Sequence, residues 1–327
     1  MATPSNISPK MKLTRRVAVA AALGPAGEEG LSGETLAREL GISRMAVSKH
    51  VAALRGLGFE VAATPHAGYR LLRTPDACLP ETVAPLLYDP LFAGCSGGPV
   101  TGSTNDDAKR LAREGAAEGT LVVAAEQRGG RGRFGREWES SSGGAYVSCI
   151  LRPRRAPSEI GPLSVVLAMG IAGELAALGV PVGLKWPNDL VCDGRKLGGI
   201  LVEMAAEAER VEWVVTGCGV NVSMPQGPDA AHVREFAPEV TVPRVAAAVA
   251  DGMAAGYRAY LSGETSTAAE FERWDTLAGT AIVVRDMTGA TVAEGIARGI
   301  ADDGRLIVDL GAGGEQRVVA GEVTLRG

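Results

Sequence analysis

The chain has 327 residues, a formal net charge of −5, 46% hydrophobic residues and only 4% aromatic ones. That length exceeds one ordinary core and predicts two or three domains. No run approaches the ~20 apolar residues of a membrane span, and the polar start over 1–12 argues against a secretory signal, so a cytoplasmic protein without membrane contact is expected. Five cysteines with no Cys-x-x-Cys pair and three histidines far apart in sequence argue against disulfides, a zinc site or a catalytic triad. No protein-built metal site is expected.

Charge is unevenly spread. Residues 1–78 hold ten Lys and Arg against six Asp and Glu, a surplus of +4, and the remainder holds 23 against 32, or −9. A basic head on an acidic body points to nucleic acid at the head. Within it, Leu13, Val17, Val19, Ala20 and Leu23 keep helical spacing up to Gly24-Pro25. Ser32 caps a second helix with Glu34 in its first turn, Leu36 and Leu40 on one face, and Gly41 where the chain turns left-handed. Ser43 caps a third helix with Val47, Val51, Leu54 and Leu57 inward and Arg44, Ser48, Lys49 and Arg55 outward. Phe59-Glu60-Val61 and Tyr69-Arg70-Leu71 then bracket a hairpin turn. The order predicts a winged helix-turn-helix over residues 1–75, with Ser43, Arg44, Ser48 and Lys49 facing DNA; a three-helix protein-contact module is the alternative.

In the body, Thr101-Gly102-Ser103-Thr104-Asn105 is a polar turn with three possible caps for the helix that follows. After the strand-like 121–125 comes the most unusual stretch, Arg128-Gly129-Gly130-Arg131-Gly132-Arg133-Phe134-Gly135-Arg136, then Trp138. Its Gly130-x-Gly132-x-x-Gly135 string imitates a dinucleotide fingerprint, but no apolar helix follows, so a Rossmann loop is rejected. Arginines among glycines bring guanidinium forks and bare backbone N–H groups to one place, which suits carboxylate or phosphate, and Trp138 offers a face for a base. A solvated basic loop or an RGG-type RNA contact are the alternatives.

Further on, 145–151 reads as a strand, 160–178 as an apolar helix and 182–186 as a strand ending in Pro187-Asn188-Asp189. A turn through Cys192-Asp193-Gly194-Arg195 leads into Lys196-Leu197-Gly198-Gly199-Ile200-Leu201-Val202-Glu203, and 211–216 and 219–222 read as a strand pair. The hairpin sets the Asp189 carboxylate beside Lys185 and Lys196; that is either a surface ion pair or a site, and the following glycines favour a ligand lying close. From 277 on, short strands near 281–284, 291–293, 295–300, 306–308, 317–319 and 322–325, separated by Asp- and Gly-rich turns, predict a small β-barrel with no chemistry of its own.

Taken in order, Ser103-Thr104-Asn105, Glu126-Gln127, Gly130-Arg131-Gly132-Arg133-Phe134-Gly135-Arg136-Glu137-Trp138, Lys185-Trp186-Pro187-Asn188-Asp189 and Arg195-Lys196-Leu197-Gly198-Gly199-Ile200-Leu201 resemble the bifunctional biotin protein ligases that double as biotin operon repressors. The resemblance covers nearly the whole chain. It implies an α+β multidomain fold: a winged helix over 1–75, a mixed α/β biotin/lipoate-ligase-like catalytic domain over 76–276 and an SH3-like domain over 277–327. It further implies that biotin and ATP, with Mg²⁺, yield biotinyl-5'-AMP, and that the biotinyl group passes to a lysine of a biotin carboxyl carrier protein. Ser103, Thr104, Asn105, Gln127, Arg131, Gly132, Arg133 and Lys196 would bind biotin; Trp138, Lys185, Asn188 and Asp189 the nucleotide; and Arg131, Arg133, Lys196 and Asp189 would carry the chemistry. Operator DNA and a ligand-promoted homodimer are the implied partners, with biotinyl-AMP as corepressor. Other readings are a biotinyl-AMP sensor without transfer, a lipoate ligase, and a ligase whose head no longer regulates. Three departures from the family pattern stand out: Phe134 where a further basic residue is common, Ser141-Ser142-Gly143-Gly144-Ala145-Tyr146 in place of Pro-x-Gly-Asn-Leu-Tyr, and the loss of the Ala-Thr-Ser-Leu stretch after Val222.

Overall fold

Thr14 opens the first helix, α1 (Arg15–Leu23), by accepting the Val17 N–H, and the Ser32 and Ser43 hydroxyls do the same for α2 (Gly33–Leu40) and α3 (Arg44–Gly56). The computed structural model describes residues 11–24, 30–64, 68–207, 209–225, 227, 229–264 and 266–325. Gly41 ends α2 with φ 62°, the left-handed turn expected of it. Val19, Leu23, Leu36, Val47, Val51, Leu54, Phe59 and Val61 form the head's own core. A hairpin of β1 (Glu60–Thr64) and β2 (Gly68–Arg73) completes the winged helix, the tip of the wing lying outside the described residues.

Two expectations for the head need correction. Leu13 precedes the Thr14 cap and packs against the body's core, because a helix cannot extend upstream of its capping residue. Arg55, expected to face outward, donates from Nε (3.0 Å) and Nη2 (2.6 Å) to the Val61 carbonyl and ties α3 to the wing. The head is docked on the body through α1: Val17 joins the body's core, and Arg16 Nε meets the buried Glu81 carboxylate at 2.6 Å.

After α4 (Pro80–Val83), the body is built on one seven-stranded sheet. Strands β3 (Gly94–Thr101) and β4 (Thr120–Gln127) are parallel and joined by α5 (Thr104–Arg113). β5 (Gly144–Leu151) follows, then α6 (Leu163–Ala177), the short β6 (Gly183–Lys185) and β7 (Asp189–Cys192), and the long β8 (Arg195–Glu207) and β9 (Arg210–Asn221), all antiparallel in the order β3-β4-β5-β9-β8-β7-β6. One face of the sheet is covered by α6 and α7 (Val242–Ser262). These two helices lie close because Gly170, Gly252 and Gly256 meet backbone of the opposite helix; a β-carbon at Gly256 would stand 2.6 Å from the Val166 carbonyl oxygen. The other face carries α5 at one end.

Here too the structure corrects the sequence reading. The apolar helix starts at Leu163, not 160, since Pro162 disfavours helical backbone at Gly161 before it. Residues 189–192 form a separate strand. The expected strand pair 211–216 and 219–222 is the single β9, which passes straight through Gly217-Cys218-Gly219. β3 and α7 were not anticipated: β3 is glycine-rich, and α7 is buried over most of its circumference, which blurs the helical period. All five cysteines are buried free thiols.

A short α8 (Thr267–Phe271) leads to the tail, where β10 (Ala281–Arg285), β11 (Thr291–Ile300), β12 (Leu306–Asp309), β13 (Glu315–Val318) and β14 (Glu322–Leu325) form an SH3-like antiparallel sheet in the order β13-β12-β11-β10-β14. β11 is continuous where two strands were expected. The Trp186 indole N–H donates to the Gly304 carbonyl at 2.8 Å and fastens this sheet to the body.

Candidate active site

Along the α5 face of the sheet, side-chain chemistry changes from one end to the other. Val122, Ile150, Trp213 and Val215 pack under Ala108 and Ala112 of α5. Farther along the same strands stand Ser148, Gly217 and Gly219, and the N-terminus of α5 reaches over them. The glycines leave room for side chains from above: a β-carbon at Gly217 would collide with the Asn105 carboxamide, and one at Gly219 would stand 2.6 Å from Trp138 Nε1. The result is a cleft that opens to solvent.

Its floor is buried and polar. Ser103, Thr104, Asn105 and Ser148 are each 5% exposed or less. The expected Ser-Thr-Asn cap is not one: no side chain of that turn caps α5, and the Gln127 carboxamide takes the task, its Oε1 accepting from the Thr104 N–H at 2.8 Å. Gln127 Nε2 donates to Ser140 Oγ at 2.9 Å. Ser148 Oγ lies 2.8 Å from Thr104 Oγ1 and 2.7 Å from Asn105 Oδ1. Hydroxyls and amides here are therefore oriented before any ligand arrives.

The rim is the Arg-Gly loop. It forms a tight turn at Arg133–Gly135, where Phe134 adopts φ 59° and Gly135 φ 73°, and no helix follows, in agreement with rejection of a Rossmann loop. Phe134 holds a left-handed conformation rare for a bulky side chain, the kind of local strain that concentrates at functional sites. Arg131, Arg133 and Arg136 already have partners. Arg131 makes a bidentate pair with Asp106 on the first turn of α5, Arg136 a bidentate pair with Glu322 of β14, and Arg133 donates to the Gly321 carbonyl at 3.3 Å. Hydrogen bonding from Arg131, aided by Lys109, holds the Asp106 carboxyl down at about 2, and Arg136 likewise lowers Glu322. Burial lowers the Arg133 guanidinium from its usual value, with neighbouring Asp189 opposing that shift.

The far wall is the β6–β7–β8 hairpin. Lys185 pairs with Asp189 across β6 and β7, and Lys196 sits at the start of β8 beside a bulge at Leu197. Lys196 Nζ lies 2.7 Å from Asp189 Oδ1 and 5.1 Å from the centre of the Trp138 ring. Trp138 Nε1 is buried and without a hydrogen-bond partner, a donor that faces the cleft region over Gly219. Asn188 is partly committed elsewhere, its Nδ2 donating to the Ile200 carbonyl at 2.6 Å.

All twelve residues singled out for biotin, nucleotide or chemistry line this one cleft: Ser103, Thr104, Asn105, Gln127, Arg131, Gly132, Arg133, Trp138, Lys185, Asn188, Asp189 and Lys196. The residues expected to face DNA, Ser43, Arg44, Ser48 and Lys49, are exposed at the cap and along α3 in the head. Sequence reasoning missed Ser148, Gly217, Gly219 and the tail's Gly321, Glu322 and Val323, which close the cleft from β14. The Gly-x-Gly within a strand was the available signal for the first glycines; nothing in the tail marked Glu322. Among the described residues no three His, Cys, Asp or Glu side chains are grouped to hold a metal, so a Mg²⁺ ion would depend chiefly on a ligand's own phosphates.

Three family models match in chain order: an HTH domain at 26–70, the biotin/lipoate A/B protein ligase family at 97–221 and the biotin protein ligase C terminal domain at 279–326. The biotin--[acetyl-CoA-carboxylase] ligase of Paracoccus denitrificans is 33% identical over 249 residues, which cover 69% of this chain and 98% of that protein. The chain belongs to the biotin protein ligase family. The bifunctional ligase/repressor of Bacillus subtilis is 38% identical over 216 residues, 65% of this chain and 66% of that protein; for the Escherichia coli counterpart the figures are 37%, 59% and 60%. The match thus spans just under two thirds of these bifunctional relatives. Among solved structures, a biotin protein ligase from Aquifex aeolicus in complex with biotin and ATP superposes with a TM-score of 0.61 at 24% identity over 72% of this chain and 99% of that one, a likeness of fold. No helix among the described residues is long and apolar enough to cross a membrane.

Proposed function

We propose that this member of the family is an ATP-dependent biotin protein ligase that forms biotinyl-5'-AMP and transfers the biotinyl group to one lysine of a biotin carboxyl carrier protein. The observation that carries the reading is the division of the cleft into a buried neutral floor and a cationic rim. A ureido ring is neutral and needs donors and acceptors in fixed places, which Ser103, Thr104, Asn105 and Gln127 provide. That floor favours biotin over lipoate, whose dithiolane ring has no such groups.

In the first step a biotin carboxylate oxygen attacks the α-phosphorus of ATP, the new P–O bond forms, and the bond to pyrophosphate breaks. Two anions must meet, so cations are needed where charge accumulates. Arg131 and Arg133 on the loop and Lys196 on β8 supply them, with Trp138 against the adenine and Lys185, Asn188 and Asp189 along the nucleotide. Mg²⁺ bound with the phosphates of ATP would supply further charge neutralisation there. Arg131 must exchange Asp106 for the ligand, so occupancy and loop rearrangement are coupled. In the second step the acceptor amine attacks the biotinyl carbonyl and AMP leaves. A free lysine is almost wholly protonated at neutral pH, and Asp189, 2.7 Å from Lys196, is the group that orients Lys196 or accepts the proton.

The exposed Arg44, Ser48 and Lys49 on α3 support operator binding by the head, with biotinyl-AMP as corepressor through a ligand-promoted homodimer in the cytoplasm. A mobility shift on the chain's own upstream DNA, with and without biotin plus ATP, tests this, and a shift indifferent to ligand refutes corepression. For the enzyme, protein incubated with biotin, ATP and Mg²⁺ should retain biotinyl-AMP through desalting, read by mass spectrometry of the released ligand. No adenylate from the native chain would refute the ligase.

A further inference from the structure

The carboxylate of Glu203, on the β8 strand behind the cleft, receives two donors, one on each oxygen. Asn105 Nδ2 reaches Oε2 at 2.8 Å and Lys109 Nζ reaches Oε1 at 2.7 Å. We infer that Glu203 is a positioning residue that fixes which way the Asn105 carboxamide points into the biotin pocket. The inference rests on the ligase reading above and deepens it by naming what sets the pocket's donor and acceptor pattern.

A carboxamide has two faces of opposite polarity, and in a buried site its partners decide which is presented. Asn105 is 5% exposed. Its Oδ1 is met by Ser148 Oγ at 2.7 Å and its Nδ2 by Glu203. Gln127 Oε1 accepts both the Thr104 N–H at 2.8 Å and the Thr104 hydroxyl at 3.0 Å, so the single Ser148 hydroxyl proton is what Thr104 Oγ1 and Asn105 Oδ1 share. The Ser148 hydroxyl can donate or accept, so it does not by itself choose the Asn105 orientation; the Glu203 carboxylate only accepts, and it holds Nδ2 on its own side and Oδ1 towards Ser148. Lys109 meets Glu203 from the other side: it is donor-only, it takes the second oxygen, and it also reaches Asp106 at 2.9 Å, the carboxylate that clasps Arg131. Glu203 thus sits between the floor and the clasp without lining the cleft itself.

Replacing Glu203 by glutamine changes one atom's chemistry and little of its shape. Lys109 can only donate, so the amide oxygen of the Glu203→Gln side chain turns to Lys109 and its NH₂ then faces the Asn105 NH₂. Two donors repel, and Asn105 must flip, which reverses the pattern offered to biotin. If Lys109 is also replaced, by methionine, the new amide oxygen is free to turn to Asn105 and the original pattern returns. A role confined to general stability would not produce that reversal.

The experiment is calorimetric titration of biotin into the full-length native chain, Glu203→Gln, Lys109→Met and the double variant, with thermal unfolding of each. The expected result is a Kd raised about tenfold in Glu203→Gln, the loss of about one buried hydrogen bond. The double variant should recover to within about threefold of native, and melting temperatures should not follow that order. Native binding with an unchanged Kd in Glu203→Gln, or with no recovery in the double variant, overturns the positioning role and leaves the ligase reading intact. If Glu203→Gln fails to fold, Ser148→Ala tests the same orientation from the Oδ1 side, and unchanged biotin affinity there overturns it too. A native chain that binds no biotin overturns both.

Discussion

The floor of the cleft and its rim solve the problem of holding polar groups ready in opposite ways. On the floor, Thr104, Asn105 and Ser148 are buried, Gln127 is half-buried, and all four are bonded to one another, so they cost little further to organise when a ligand enters. On the rim, Arg131 and Arg136 are partly exposed and paired with carboxylates that belong to other elements, Asp106 on α5 and Glu322 on β14. Those pairs are in water, where an ion pair is worth about 1 kcal/mol or less, so they hold the loop in order and can be exchanged for a ligand. On the proposed reading, recognition of a neutral ring is built in advance, and capture of the anions is left to a loop held by weak clasps.

That contrast can be broken at several points. Lys196→Ala removes a cation fixed on β8 rather than on the loop, and biotinyl-AMP formation should fall by about 10² to 10³-fold, as for loss of a preorganised charge-stabilising group, measured by pyrophosphate exchange; a fall under threefold would move the chemistry off β8. Arg131→Ala should abolish retention of biotinyl-AMP through desalting, a loss of about 10- to 100-fold in affinity for one charge-assisted contact, with the melting temperature unchanged. Retention equal to native would assign the loop wrongly. Gly217→Ala attacks the floor alone. The new methyl collides with the Asn105 carboxamide, and biotin affinity should drop about tenfold, while protease cleavage in the 128–138 loop stays as in the native chain.

The smallest effect is expected for the clasps themselves. Asp106→Asn should speed proteolysis of the loop in the free protein by no more than a few fold. The pH dependence follows from the Asp106 carboxyl, held at about 2 by Arg131 and Lys109. Because the folded value is lowered, the clasp is complete above the ordinary carboxylate range near 4 and is lost only as pH falls towards 2. Loop protection should therefore be flat from pH 5 to pH 9, and a midpoint inside that window would mean that another group governs the loop.

How much of this could be read from sequence depended on whether local residues were enough. The winged head was legible because Ser32, Ser43 and Gly41 do what cap and turn residues do irrespective of tertiary context. The cleft's short motifs were legible as chemistry, and the fold brings their residues to one place. What failed was whatever depends on distant packing. β9 was divided at Gly217-Cys218-Gly219 since glycines read as a break, although here they clear space for Asn105 and Trp138. α7 is hidden by burial on nearly every side. The tail was taken to be without chemistry, yet Gly321 and Glu322 hold Arg133 and Arg136 from some 186 residues away in sequence.

The central claim is that this cleft makes and passes on a biotinyl group, and intact-mass analysis of an acceptor tests it most directly. A biotin carboxyl carrier domain incubated with the chain, biotin, ATP and Mg²⁺, with lipoate as a parallel substrate, should gain one biotinyl group, only when ATP is present and not from lipoate. A carrier domain of unchanged mass, with biotin or its adenylate still held by the chain, would contradict the ligase and leave a sensor that binds without transfer.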